Sequence, residues 1–325
     1  MAVWLALALA ACSGSTQPPT PPSANGSASG AGIFRPQSLS YYGCPVFTGG
    51  SYNATVTNSP VDKNSKAYIK SVIQAGDTAG FYASTGVEQV NLANDKTPLL
   101  HVHQRVRYHK FPVPYPWLSN FYIEPLGDAH AMIVHTQDCH LFESYGTIYK
   151  HPTLSAYSGA HWDLRKRLRW LPPGTPSAMA SGLPLFAGMV RWEDYESGSI
   201  NHALNWTGIA GSVAQYEFVR PASDTDWLPF QGKSSYQLPY GARLRLKASF
   251  NTSGWGTQAT MVAQAMKTYG IYLSDTGSSG NGLYFANDSH GNNPWNSADL
   301  SSLSQITMSD FDVIQLPTIL RVPGH

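Results

Sequence analysis

Within sixteen residues the chain carries Asp128, His130, His135, Asp138, His140 and Glu143. In extended chain, residues two apart share a face, so strands here would present Asp128 with His130, and Asp138 with His140, as carboxylate–imidazole pairs. A carboxylate beside an imidazole orients it as a general base, and the same donors suit a divalent metal. Neither the HExxH nor the CxxC spacing is present, so the expectation is acid/base chemistry without a cofactor, with a divalent metal ion as the alternative. Glu143 lies amid Leu141, Phe142 and Tyr145, and apolar surroundings raise a carboxyl pKa towards that of a general acid. The plainer reading leaves His135 and His140 on an outer face and makes Asp128 a turn cap after Gly127.

A second group runs Arg191-Trp192-Glu193-Asp194-Tyr195-Glu196, followed by His202. Aromatic faces stack on a pyranose while carboxylates bond its hydroxyls, so Glu193 reads as a candidate acid, His202 as a candidate base, and Arg191 and Trp192 as substrate contacts. The same composition fits a solvated loop, and His202 fits a core histidine. A third group is basic. In Ala242-Arg243-Leu244-Arg245-Leu246-Lys247-Ala248 the apolar and basic residues alternate, so one strand face enters a core while Arg243, Arg245 and Lys247 line the other. In a groove, Arg245 and Lys247 would meet an anionic substrate group; on an open face they would be solvated or paired across the sheet. The stretch Ser274 to Gly282 reads as a long Gly-rich loop that brings Asp275 to a site or merely connects two strands.

The elements that must position these groups are mostly strands. Period-two alternation or short apolar runs mark Leu99 to Tyr108, Ala129 to Thr136, His140 to Tyr149, Tyr216 to Arg220 and Ala242 to Phe250. Two helices interrupt them. Ser59-Pro60-Val61-Asp62 predicts a capped start with Tyr68, Ile69, Val72 and Ile73 on one face and Gly76 as the stop. Met261, Val262, Ala265, Met266 and Tyr269 mark a second helix from Thr257 to Tyr269, with Gly270 at its end. Many strands and few helices predict a mainly β fold with a sandwich or jelly-roll-like core.

The 325 residues are 42% hydrophobic and 12% aromatic, which excludes a disordered or collagen-like chain. Twenty-one Lys and Arg against twenty Asp and Glu leave no field to hold nucleic acid. Residues 1–12 form an apolar run ending Leu9-Ala10-Ala11-Cys12, which resembles a bacterial lipobox and makes Cys12 a lipidation site, although no Lys or Arg precedes it. Residues 13–32 are a Ser/Pro/Gly-rich tether, and residues 33–325 read as a single β-rich domain. In an oxidising compartment the remaining cysteines, Cys44 and Cys139, are expected to form a disulfide. No GxSxG elbow, P-loop or GxGxxG fingerprint is present, which argues against α/β-hydrolases, P-loop NTPases and dinucleotide enzymes.

The segments Gly127-Asp128-Ala129-His130, Cys139-His140-Leu141-Phe142-Glu143, Gly198-Ser199-Ile200-Asn201-His202-Ala203-Leu204 and Arg243-Leu244-Arg245-Leu246-Lys247-Ala248-Ser249-Phe250 resemble motifs shared by a group of secreted bacterial proteins of no established activity. The resemblance implies export and one contiguous domain, and assigns no catalytic role. Taken together, the expectation is an exported, lipid-anchored protein of the cell envelope or extracellular space. It would cleave a polysaccharide or oligosaccharide by acid/base catalysis, as a glycoside hydrolase or polysaccharide lyase. Its membrane contact would be the lipid anchor alone. The alternatives are a non-catalytic surface glycan-binding lipoprotein and a metal-dependent hydrolase.

Overall fold

The computed structural model describes residues 40–105, 111, 113–226, 235–277 and 280–324. The apolar run with Cys12, the tether, and the part of the expected Leu99–Tyr108 strand beyond Arg105 lie outside them. The described chain is mainly β, with several sheets, few helices and a sandwich-like core. Among the described residues no helix is long and apolar enough to cross a membrane.

Two sheets carry the architecture. The smaller has four strands in the order Ser158–Asp163, His140–Tyr145, Ala131–His135, Val90–Ala93, antiparallel except for the last pair. Its side chains alternate between two clusters: Met132, Val134, Leu141, Ala160 and Trp162 enter the main core, while Ala131, Ile133 and Phe142 pack in a second core with Tyr115 and Trp117. That alternation is the pleat expressed as burial on both faces. Glu143 sits opposite Met132 and Ala160, so the register turns its carboxylate towards the main core.

The larger sheet is mixed, in the order Phe311–Val313, Arg243–Leu246, Ile271–Gly277, Leu204–Ile209, Gly282–Ala286, Tyr82–Glu88. Leu244 and Leu246 are buried and Arg243 and Arg245 lie on the opposite face, as the alternation predicts. The first four residues of the stretch expected as a loop, Ser274 to Gly277, instead continue the strand Ile271–Gly277. Parallel pairing with Leu204–Ile209 carries it four residues further than its polar composition suggests.

The second helix spans Thr257–Thr268 and presents Val262, Ala265 and Met266 to the core, with Gly270 at φ 72° beyond its end. The first begins later than expected, at Ser65. Val61 is held in a bridge to Ile314, so Pro60 does not open the helix. Asp62 serves both segments, accepting the N–H of Asn64 at 2.8 Å and that of Leu316 at 3.2 Å. Cys44 and Cys139 are joined in a disulfide.

Candidate functional site

A bulge in the larger sheet builds the site. Trp206 pairs with Leu273, but Thr207 pairs with Asp275, so Ser274 is the extra residue. One inserted residue shifts the alternation beyond it, which places Asp275 on the face of Thr207. On the neighbouring strand Tyr284 presents its hydroxyl to that face, accepting a 2.8 Å bond from Thr207 Oγ1. Bulges re-aim side chains next to functional sites in this way.

Asp275 there lines a cavity of about 560 Å³ together with Asp128, Asp224, Asp226, Tyr145, Tyr157 and Thr276. Its carboxylate accepts the N–H groups of Ala180 at 3.2 Å and of Thr276 at 2.8 Å. Burial, and then the charge of Asp226, outweigh those bonds and push its pKa up to about 8. Asp226 accepts the hydroxyls of Tyr240 and Thr276 on one oxygen. Burial raises its pKa too, while the two hydroxyl bonds favour its ionised form. The two carboxyls therefore titrate as a pair in which Asp275 keeps the proton at neutral pH. Tyr145 and Tyr157 have ring centroids 5.8 Å apart, and the Arg105 guanidinium lies 4.0 Å over Tyr157.

Asp128 and Thr276 also line an adjoining cavity of about 190 Å³ with Glu88, Glu124, His130 and Tyr284. Asp128 reaches both cavities from a tight turn in which Gly127 and Ala129 take φ 67° and 49°. His130 is buried, with Nδ1 3.0 Å from Glu88 and 3.3 Å from Glu124. Burial alone would lower its pKa, yet the carboxylates, Glu88 foremost, bring it up to about 9. Among the described residues, Glu88, Glu124 and His130 form a group whose donor atoms could hold a metal ion, all lying within 4.8 Å of one another.

The structure thus brings Asp128, His130 and Asp275 together and places the other candidates elsewhere. Glu143 is fully buried and lines neither cavity; it accepts the N–H groups of Leu185 at 2.9 Å and Phe186 at 2.8 Å. Burial, only partly offset by those bonds, pushes its pKa up to about 7. Arg191 and His202 are buried around Asp194, with Arg191 2.6 Å from His202 Nε2 and His202 3.3 Å from Asp194. Trp192 packs on Tyr195 and Trp295 at 4.8 and 5.4 Å, and Glu193, its pKa raised by burial, lies beside Tyr42.

The basic row is tied to backbone. Arg243 donates to the carbonyls of Tyr269 and Ala54, Arg245 to those of Val56, Thr57 and Ser59, and Lys247 to that of Ser309. None of the three lines either acidic cavity. His135 pairs with Asp138 at 2.8 Å, and His140 meets His161 at 2.6 Å.

Comparison with protein-family models, with curated proteins and with solved structures finds no match to this chain. Its chemistry is read from the cavity itself. Glu88, Glu124, Asp224 and Asp226 were not singled out from sequence, because Glu88, Asp224 and Asp226 reach Asp128 and Asp275 only through contacts long-range in sequence, and Glu124 reaches His130 through a turn that no sequence periodicity marks. A local signal did exist at Asp224-Thr225-Asp226, two acids two apart before an aromatic residue.

Proposed function

We propose that this chain is an exported, lipid-anchored enzyme that cleaves a polysaccharide or oligosaccharide by acid/base chemistry in the Asp226–Asp275 cavity. The carrying observation is one cavity wall that holds two coupled carboxyls, one retaining its proton at neutral pH, beside two tyrosine rings. Such a split in proton affinity assigns the roles. Protonated Asp275 donates its hydrogen to the glycosidic oxygen as the C–O bond breaks. Asp226, oriented by Tyr240 and Thr276, whose hydroxyl bonds favour its ionised form, takes up the attacking side, as base for a water or as nucleophile. Tyr145 and Tyr157 offer the apolar faces on which sugars stack.

Charge narrows the substrate. Among the described residues the larger cavity is lined by four aspartates and by no Lys or Arg, and Arg105 stacks on its Tyr157 wall. Elimination from a uronate needs a cation to neutralise its carboxylate, and the guanidinium of Arg105 beside these walls is already engaged by the Gly146 carbonyl and the Tyr157 ring. The walls favour a neutral glycan and hydrolysis. The location is supported by the lipobox-like run that ends at Cys12.

The test incubates the protein with neutral and acidic polysaccharides and follows both reducing ends and the absorbance of unsaturated uronates. New reducing ends on a neutral glycan, abolished by Asp275→Asn, are expected. No turnover anywhere on the panel, with retained binding to the same glycans, would replace this reading by that of a surface glycan-binding lipoprotein.

A further inference from the structure

The smaller cavity brings together three carboxylates, those of Glu88, Glu124 and Asp128, with no Lys or Arg among the described residues of its walls. Two of the three are buried, Glu88 at 3% and Glu124 at 8% exposure. Both converge on the same atom, Nδ1 of His130, at 3.0 and 3.3 Å. A ring nitrogen carries at most one hydrogen and satisfies one of them. With both carboxyls ionised, even a fully protonated imidazole would leave a negative charge uncancelled, and a buried unpaired charge is strongly unfavourable.

The arrangement is also set before any ligand arrives. The Glu124 N–H donates to the His130 carbonyl at 2.8 Å while Glu124 Oε2 accepts the His130 N–H at 3.2 Å, so the turn closes on itself. Glu88 ends a strand of the larger sheet, where its carbonyl accepts the Asn287 N–H at 2.7 Å. Separations of this size between donor atoms are those produced around a cation whose bonds are about 2.1 Å long.

We propose that Glu88, Glu124 and His130 Nδ1 bind a divalent first-row transition cation, zinc or manganese in class, in the wall of the smaller cavity. The cation supplies the missing positive charge, and the mixed oxygen and nitrogen donors suit these ions better than calcium. Three protein ligands leave a coordination position open towards the cavity that Asp128 also lines. Only His130 belongs to the six-residue set that the sequence suggests. The site stands on this geometry alone and not on the glycan reading.

The test strips the full chain with a chelator, dialyses it and titrates it calorimetrically with zinc, manganese and calcium chlorides in parallel. Elemental analysis counts the bound ion. The expected result is about one equivalent of zinc or manganese at micromolar affinity or better, weakened about tenfold or more in both Glu124→Gln and Glu88→Gln. Near-UV circular dichroism checks that each variant is folded, and if one is not, the other decides. No zinc or manganese binding, binding unchanged in the folded variants, or binding of calcium alone overturns the proposal. The readout needs no glycan, so an absence of cleavage leaves it standing.

Discussion

Glu143 and Arg191 hold opposite ends of one residue. The carboxylate of Glu143 accepts the N–H of Phe186 at 2.8 Å, and the guanidinium of Arg191 donates to the Phe186 carbonyl. The two motif regions that suggested catalysis therefore meet, but inside the core. Arg191 also stacks 4.1 Å over Tyr41, whose hydroxyl donates to Asp194. Phe186 opens the short 3-10 turn Phe186–Gly188, and the pair fixes that turn between the smaller sheet and the strand Leu204–Ile209.

The burial of Glu143, against the pull of its two N–H bonds, makes stability depend on pH. Its folded pKa, about 7, lies above the value it would have unfolded. The folded state then binds the extra proton, so the contribution is fully present below about 4.5 and is lost as pH rises through about 7. Denaturant unfolding should show stability falling across that window by up to about 3 kcal/mol. Glu143→Gln should flatten the slope; an unchanged slope would mean the carboxyl is ionised when folded.

Asp275 should govern the alkaline side of catalysis. If its proton is transferred to the leaving oxygen, activity falls as pH rises past about 8, because the acid is then ionised. Asp275→Asn should lower kcat by about 10² to 10⁴ and abolish that limb in the residual rate, with thermal unfolding little changed. A variant that keeps wild-type kcat removes Asp275 from the reaction.

Tyr157 is held by a glycine. Gly146 has φ 61°, and a Cβ built there would lie 2.0 Å from the Tyr157 ring. Gly146→Ala must displace the ring, break its stacking with Arg105 and strain the turn, at a stability cost of about 1–3 kcal/mol. KM for the glycan should rise with kcat less affected, since the ring binds rather than reacts. An unaltered KM would exclude stacking on Tyr157.

What was legible in the sequence was local. The alternation from Ala242 to Ala248 gave the strand and its buried Leu244 and Leu246, and the stripe through Val262 and Met266 gave the second helix. The pairing of Asp226 with Asp275 was not legible, because it depends on a bulge at Ser274 and on parallel pairing between segments far apart in the chain. Glu88 and His130 likewise meet only because two sheets bring them together. Chemistry-bearing residues close in sequence, such as Asp128 and Glu143, proved to face different surroundings, one exposed on a turn and one in the core.

Arg245 tests the difference between a clamp and a substrate contact. Its Nη1 donates to Val56, Thr57 and Ser59 at 2.7, 2.8 and 3.1 Å, and Nη2 lies 3.7 Å from Asp312. Those carbonyls belong to the segment that leads into the first helix, so the guanidinium replaces the backbone donors that a regular element would have provided. Arg245→Met keeps the apolar stem and removes the donors. It should cost about 1–3 kcal/mol of stability, read by chemical denaturation, because three acceptors lose a charged partner. Since Arg245 lines neither acidic cavity, kcat/KM on a neutral glycan should stay unchanged at temperatures where the variant is folded. A large loss of kcat/KM with undiminished stability would instead return Arg245 to the substrate.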